Sequence, residues 1–218
     1  MNEMRVPEEL LRFVASDLRP VRPLPPPERR ALALVPVAVL LVVAAPSHWG
    51  WRQNLESLGP LLGWGIAVLQ ALVGVAVVAA GLCEAVPGRQ LPRATLAVLF
   101  GGAGALVLIA TLLTEALLPT VVPRGADWRY AWECFFMASG PGALAVLAVA
   151  ALVARALPSR PAVAGALGGL GAGLMADAGA RLFCWVSTAP HVLVAHGGAI
   201  LVLMLLGATL SSLIERWR

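Results

Sequence analysis

Lysine is absent from this chain of 218 residues, and charge of either sign is scarce, at 13% of the side chains. A soluble domain usually carries about 25% charged residues, so that class is excluded. With no lysine, every fixed positive side chain is an arginine, and orientation has to be read from arginine alone. No polar stretch is long enough to fold a second core. The beginning of the chain lacks the form of a cleavable signal, because Arg, Glu and Pro fill its first 30 residues. Cysteine occurs three times, in no Cys-x-x-Cys arrangement, and no His-x-x-x-His accompanies it, so the usual spacing signal of a metal site is missing.

What is abundant is apolar surface: 59% hydrophobic residues and a mean hydropathy of +0.83. It is gathered into six runs, at about residues 31–45, 58–82, 94–118, 132–157, 162–185 and 191–214. A spanning helix needs roughly 17–25 residues. The first run, with Pro36 inside it, is short unless it recruits flanking residues. The expected fold is all-α, a polytopic bundle of six transmembrane helices. Residues 1–30 form a leader, 31–214 the membrane domain and 215–218 a tail.

Arginine sets the orientation. Arg5, Arg12, Arg19, Arg22, Arg29 and Arg30 precede the first run, and Arg89, Arg93, Arg155, Arg160, Arg216 and Arg218 fall at turns on that same side. The other side has only Arg52, Arg124, Arg129 and, at its edge, Arg181. Positive charge stays inside, so both termini are expected in the cytoplasm of a bacterial cell, with the bundle in its inner membrane. Trp49, Trp51, Trp128, Trp132 and Trp185 then mark the outer interface.

The leader reads as a short amphipathic helix opened by Pro7-Glu8-Glu9 and ended by Pro20, followed by a polyproline segment that ends in Pro25-Pro26-Pro27. Leu10, Leu11, Val14 and Leu18 recur at helical spacing, and Leu10, Phe13, Val14 and Leu18 offer an apolar stripe. Such a stripe fills a groove on a partner or lies on lipid, with Arg12 and Arg19 near phosphates. In the fifth run Gly165, Gly169 and Gly173 make a bare ridge for close helix approach, continued by Asp177 and Arg181. The two charges are spaced to pair, and Arg181 is long enough to reach the interface. Gly59, Gly63, Ala67 and Ala71 repeat the small-residue spacing in the second run, as do Gly207 and Ser211 in the sixth.

Three constellations bear on chemistry. Cys134 and Cys184 open the fourth run and close the fifth, so the topology brings both to the outer edge, facing a compartment where disulfides persist. His191 starts the sixth run, His196 lies about 7.5 Å deeper along the helix, and Glu133 adjoins Cys134. Thiolate and imidazole are ligands for soft or borderline metals. A disulfide switch, a metal or electrophile sensor, and plain packing all remain open. Cys83, at the inner end of the second run, reads as a packed thiol.

The second constellation is Ser139 in the fourth run with His196 in the sixth, which together with Trp51-Arg52 is similar to an intramembrane rhomboid-like serine protease. Met137 stands where that motif needs glycine, and the second run lacks the His and Asn that would help hold an oxyanion. The third is a carrier, for which Asp177 with Glu115 is the only hint of a midplane polar site.

The assembled pattern resembles the NrsF family of membrane-bound anti-sigma factors, the negative regulators of sigma-F. The resemblance rests on Asp17-Leu18-Arg19-Pro20-Val21-Arg22-Pro23-Leu24, on Cys134 and Pro141, on the turn from Arg155 to Pro161, on the glycine-rich fifth run, and on Cys184 with His191 and His196. It implies a non-enzymatic protein with six spans that sequesters an extracytoplasmic-function sigma factor. Cys134 and Cys184 would correspond to the cysteines of stress sensing, and a leader including Arg19 and Arg22 would help hold the sigma factor. No resident cofactor and no direct nucleic-acid contact are expected; a transient metal ion or an oxidant is the expected signal.

Overall fold

A computed structural model describes residues 7–17, 24–119 and 127–217, and among these every regular element is helical. A leader helix, Glu8–Asp17, is followed by six helices long and apolar enough to cross a membrane. Spans one to six are Pro27–Trp49, Leu55–Glu84, Arg93–Leu117, Trp128–Ala154, Pro161–Phe183 and Ala189–Arg216.

Span one gains its missing length at its beginning. Pro27 occupies the first helical position, where a missing N–H costs nothing, and Pro26 caps it in extended conformation. A break at residues 33–34 then restarts the helix at Val35, which leaves Pro36 in a first turn rather than in a helix interior. Span two is interrupted as well. Gly59 sits at φ 69° and ψ 173°, a backbone state that only glycine adopts easily, and residues Leu61–Gly65 wind as a π-helix.

Span five is the centre of the bundle: 83% of its apolar window is buried inside the protein, against 22% for the peripheral span three. Apolar attraction does not separate helix from lipid in a bilayer, so close backbone packing has to supply the contact. Glycine supplies it on several faces of span five. A Cβ at Gly173 would lie 3.0 Å from the Ile200 Cα of span six, and one at Gly168 would lie 2.6 Å from a Val149 methyl of span four. Gly165 and Gly169 press against Gly207 and Leu203, which extends the span-six contact for two more turns. The small residues of span two that meet span five include Gly74 and Gly81, and Ala67 and Ala71 pack in one cluster with Ala178 and Leu182. Gly59 and Gly63 do not belong to that ridge, because the break at Gly59 turns Gly63 toward Leu55 of its own segment.

The two ends of the bundle differ in chemistry. At the end where the leader joins, buried Glu84 accepts from the Leu91 backbone N–H at 2.7 Å and pairs with Arg160 at 2.5 Å. Arg160 also donates to the Leu91 carbonyl at 3.1 Å, which ties two inter-span turns together. Buried Arg30 donates to the Leu152 carbonyl of span four, and Glu28 pairs with Arg89 at 3.1 Å. The start of span one is thereby locked to this end. The opposite end is aromatic: Trp51 meets Trp64 at 5.2 Å, Trp49 meets Phe183 at 5.6 Å and Tyr130 meets Trp185 at 5.8 Å.

Candidate functional site

The aromatic end holds the one group of metal-ligating side chains that converge among the described residues. Cys134 lies in the second turn of span four, Cys184 directly follows span five, and His191 and His196 lie in the first turns of span six. One donor atom from each falls within 4.8 Å of all the others, and all four side chains are buried. The sulfurs are 3.3 Å apart and both cysteines are free thiols. A disulfide would need about 2.05 Å. A tetrahedral zinc-type centre with metal–sulfur bonds of about 2.3 Å would need about 3.8 Å between sulfurs. Either state is reached by shifts of about an ångström or less per sulfur.

Local winding makes the convergence. Five residues of α-helix would leave His191 and His196 about 140° apart around the axis. Residues Val192–Gly197 instead form a π-helix, whose wider turn swings both rings to one side, with centroids 5.8 Å apart. Nε2 of His191 lies 3.3 Å from the Cys184 sulfur, while its buried Nδ1 has no partner. His196 is arranged the other way round: Nδ1 faces Asp177 at 2.6 Å, and the buried Nε2 has no hydrogen-bond partner.

Asp177 organises the layer beneath. Its second oxygen takes the Arg181 guanidinium at 3.2 Å and accepts from the Gln70 amide of span two. Arg181 turns inward rather than toward the interface, with its side chain 10% exposed, and donates to Thr111 of span three at 3.2 Å. A lone charge here would cost on the order of 2.5–3.5 kcal/mol; the pair and its hydrogen bonds offset much of that. A carboxylate on the far nitrogen of a ligating imidazole fixes the tautomer and aims the other nitrogen outward, the usual support of a metal-binding histidine.

The loop between spans one and two closes the site from above. Arg52 is buried and donates through its backbone N–H to the Leu182 carbonyl at 2.8 Å and through its guanidinium to Ser187 at 2.5 Å. Its Nε donates to Asn54. Burial holds this guanidinium below its ordinary pKa. Arg52, Arg181, Cys184 and His196 line a void of about 10 Å³.

The remaining candidates fall elsewhere. Glu133 is exposed, pairs with Arg129 at 3.1 Å and stands outside the ligand group. Ser139 makes no hydrogen bond to His196 among the described residues, and the Nδ1 of His196 is engaged by Asp177. Leu10, Phe13 and Val14 are exposed on the leader helix, Phe13 by 72%. Leu18, Arg19 and Arg22 lie outside the described residues. Sequence reasoning missed Gln70 and gave Arg52 no place in the site. Gln70 had a signal, since an uncharged amide alone in an apolar span needs a partner.

Residues 14–217 match the family model described as negative regulator of sigma F, NrsF. No curated protein and no solved structure is significantly similar to the chain.

Proposed function

The chain belongs to the family of negative regulators of sigma F, and on that premise we propose that it is a membrane-bound anti-sigma factor controlled by a metal ion. In this reading it lies in the bacterial inner membrane with both termini in the cytoplasm, and it acts by binding rather than by catalysis. The distribution of arginine supports that orientation. The partner is an extracytoplasmic-function sigma factor, held at the cytoplasmic face with the help of the leader stripe, Leu10, Phe13, Val14 and Leu18, and of Arg19 and Arg22. The exposure of the apolar side chains of Leu10, Phe13 and Val14 along one short helix supports a partner there.

The signal is a soft or borderline divalent cation bound by Cys134, Cys184, His191 and His196. The observation that carries this is the approach of four donor atoms to within 4.8 Å in a buried site, two of them on imidazoles with a buried nitrogen lacking a partner. Charge supports a divalent ion. Thiols must lose their protons to ligate, so one dication replaces two protons and leaves the buried charge unchanged. An oxidant joining the same sulfurs would remove two of the four ligands, so metal loading and disulfide formation exclude one another.

Transmission runs through span five. Loading resets the spacing of the four donors, spreading the two sulfurs that join the start of span four to the end of span five from 3.3 Å toward about 3.8 Å, and the glycine contacts leave span five little freedom to move independently. The locked turns at the other end, where Arg30 and Arg160 bind spans four and two, receive the shift. To release a sigma factor, loading must favour one arrangement by a few kcal/mol. The test is co-purification of the sigma factor with the full chain in nanodiscs. Capture in metal-free buffer and release on adding Zn²⁺ or Cd²⁺ are expected. No capture under either condition would remove the anti-sigma reading, and capture indifferent to metal would remove the signal.

A further inference from the structure

A buried ligand set needs a way in. A small void and a wider cleft touch it among the described residues. The void beside Cys184 and His196 is about 10 Å³, too small for a cation with any of its waters. The other is an open cleft of about 370 Å³ between the ends of spans three, four and six, lined by Glu115, Trp128, Ala131, Pro190, His191 and Val194. Six waters at about 30 Å³ each would occupy about half of it. His191 is its link to the site: the residue is 97% buried, its Nδ1 has no partner, and its Nε2 lies 3.3 Å from the Cys184 sulfur. Among the described residues Glu115 is the only carboxylate on the cleft wall, and it forms no ion pair with any of them.

Resting on the metal reading above, we propose that this cleft is the entry for a hydrated divalent cation, and that Glu115 captures the cation and hands it to His191. A carboxylate beside apolar walls concentrates cations, because the low-dielectric surroundings focus its field. The cation sheds water between Glu115 and His191, and the thiols behind His191 exchange their two protons for it, one thiolate at a time. Glu115 is a positioning residue on the path and takes no place in the final four-ligand set.

The experiment is stopped-flow uptake of Cd²⁺ alone by the full chain in nanodiscs, followed by the ultraviolet absorption of the thiolate–cadmium bond. Glu115→Gln is expected to slow both uptake and release about tenfold, with the same final absorption and an unchanged dissociation constant. Full final loading also reports that the variant is folded. Glu133→Gln, a neighbouring carboxylate outside the cleft, is expected to match the parent. Raising the ionic strength is expected to slow the parent toward the Glu115→Gln rate. Equal rates in parent and Glu115→Gln would overturn the entry proposal while leaving the metal site standing, and so would a weaker equilibrium affinity, which would make Glu115 a ligand. A parent chain that takes up no cadmium would overturn the metal reading and this proposal with it.

Discussion

Asp177 and His196 meet across the interface of spans five and six, carboxylate to Nδ1 at 2.6 Å, and both are almost fully buried. The contact joins the layer that carries charge to the layer that carries ligands. On one side Asp177 holds Arg181 and, through it, Thr111 of span three; on the other it aims the His196 ring at Cys134 and Cys184.

Replacing Asp177 with Asn therefore has two consequences with separate readouts. Arg181 loses its counter-charge in a buried position, which costs about 3–5 kcal/mol of stability, read as a lower thermal midpoint in detergent. His196 loses the carboxylate that fixes its ring, and cadmium affinity falls about 10–100-fold, read by competition titration on protein that remains folded. A variant with lost stability and unchanged affinity would place Asp177 in packing alone.

Cys134→Ser and Cys184→Ser are each expected to abolish tight cadmium binding, since two thiolates balance the dication, whereas Cys83→Ser leaves it intact. Cys83 is only partly buried and lies at the opposite end of the bundle, near Glu84. Binding to the parent is expected to release two protons per cadmium, counted in weakly buffered medium. Protein first oxidised with a thiol-specific oxidant is expected to bind none until reduced. Binding that survives either cysteine substitution would shift the site onto other residues.

How much of this was legible in the sequence differs from residue to residue. The six spans follow from composition, because the apolar runs are long and their charged ends abrupt. The Asp177–Arg181 pair follows from i,i+4 spacing, and the approach of Cys134 to Cys184 from topology, since both stand at ends of adjacent spans. His191 and His196 are another matter. Hydropathy and α-helical periodicity put them on different faces, and only the π-helical turn, which no residue type announces, brings them together. Gln70 and Thr111 enter the site from spans two and three through tertiary packing, which no spacing within one span encodes. In span two the glycines that meet span five are Gly74 and Gly81 rather than Gly59 and Gly63 for a similar reason: Gly59 sits at the break, and the π-helical turn Leu61–Gly65 shifts Gly63 out of register with the α-helix that follows.

The orientation predicts the labelling of the three thiols. If both termini are cytoplasmic, a membrane-impermeant maleimide added to spheroplasts after a chelator should react with Cys134 or Cys184 and leave Cys83 untouched. Zinc added beforehand should protect the two. Labelling of Cys83 alone would reverse the bundle in the membrane and leave an external cation no direct route to the cluster.

The packing of span five gives the last prediction. Gly165 faces the Gly207 carbonyl and Ser211 of span six, where rigid backbone leaves no room for a side chain. Gly165→Leu has no space to occupy and is expected to lower stability by about 1–3 kcal/mol or more, read by unfolding in mixed detergent. A Cβ at Gly101 on span three would meet nothing within 4 Å, so Gly101→Leu projects into lipid and should be nearly neutral. The two variants also separate structure from signalling. Forcing spans five and six apart at Gly165 disturbs the end where the leader joins, yet Cys184 lies about five turns away along span five. Gly165→Ala is the smallest wedge, although its Cβ already meets the Gly207 carbonyl, and the folded fraction is therefore expected to bind cadmium with near-parent affinity while holding the sigma factor less firmly. If cadmium affinity and sigma capture fell together by the same factor, the loss would be global unfolding, and span five would not be the element that carries the signal.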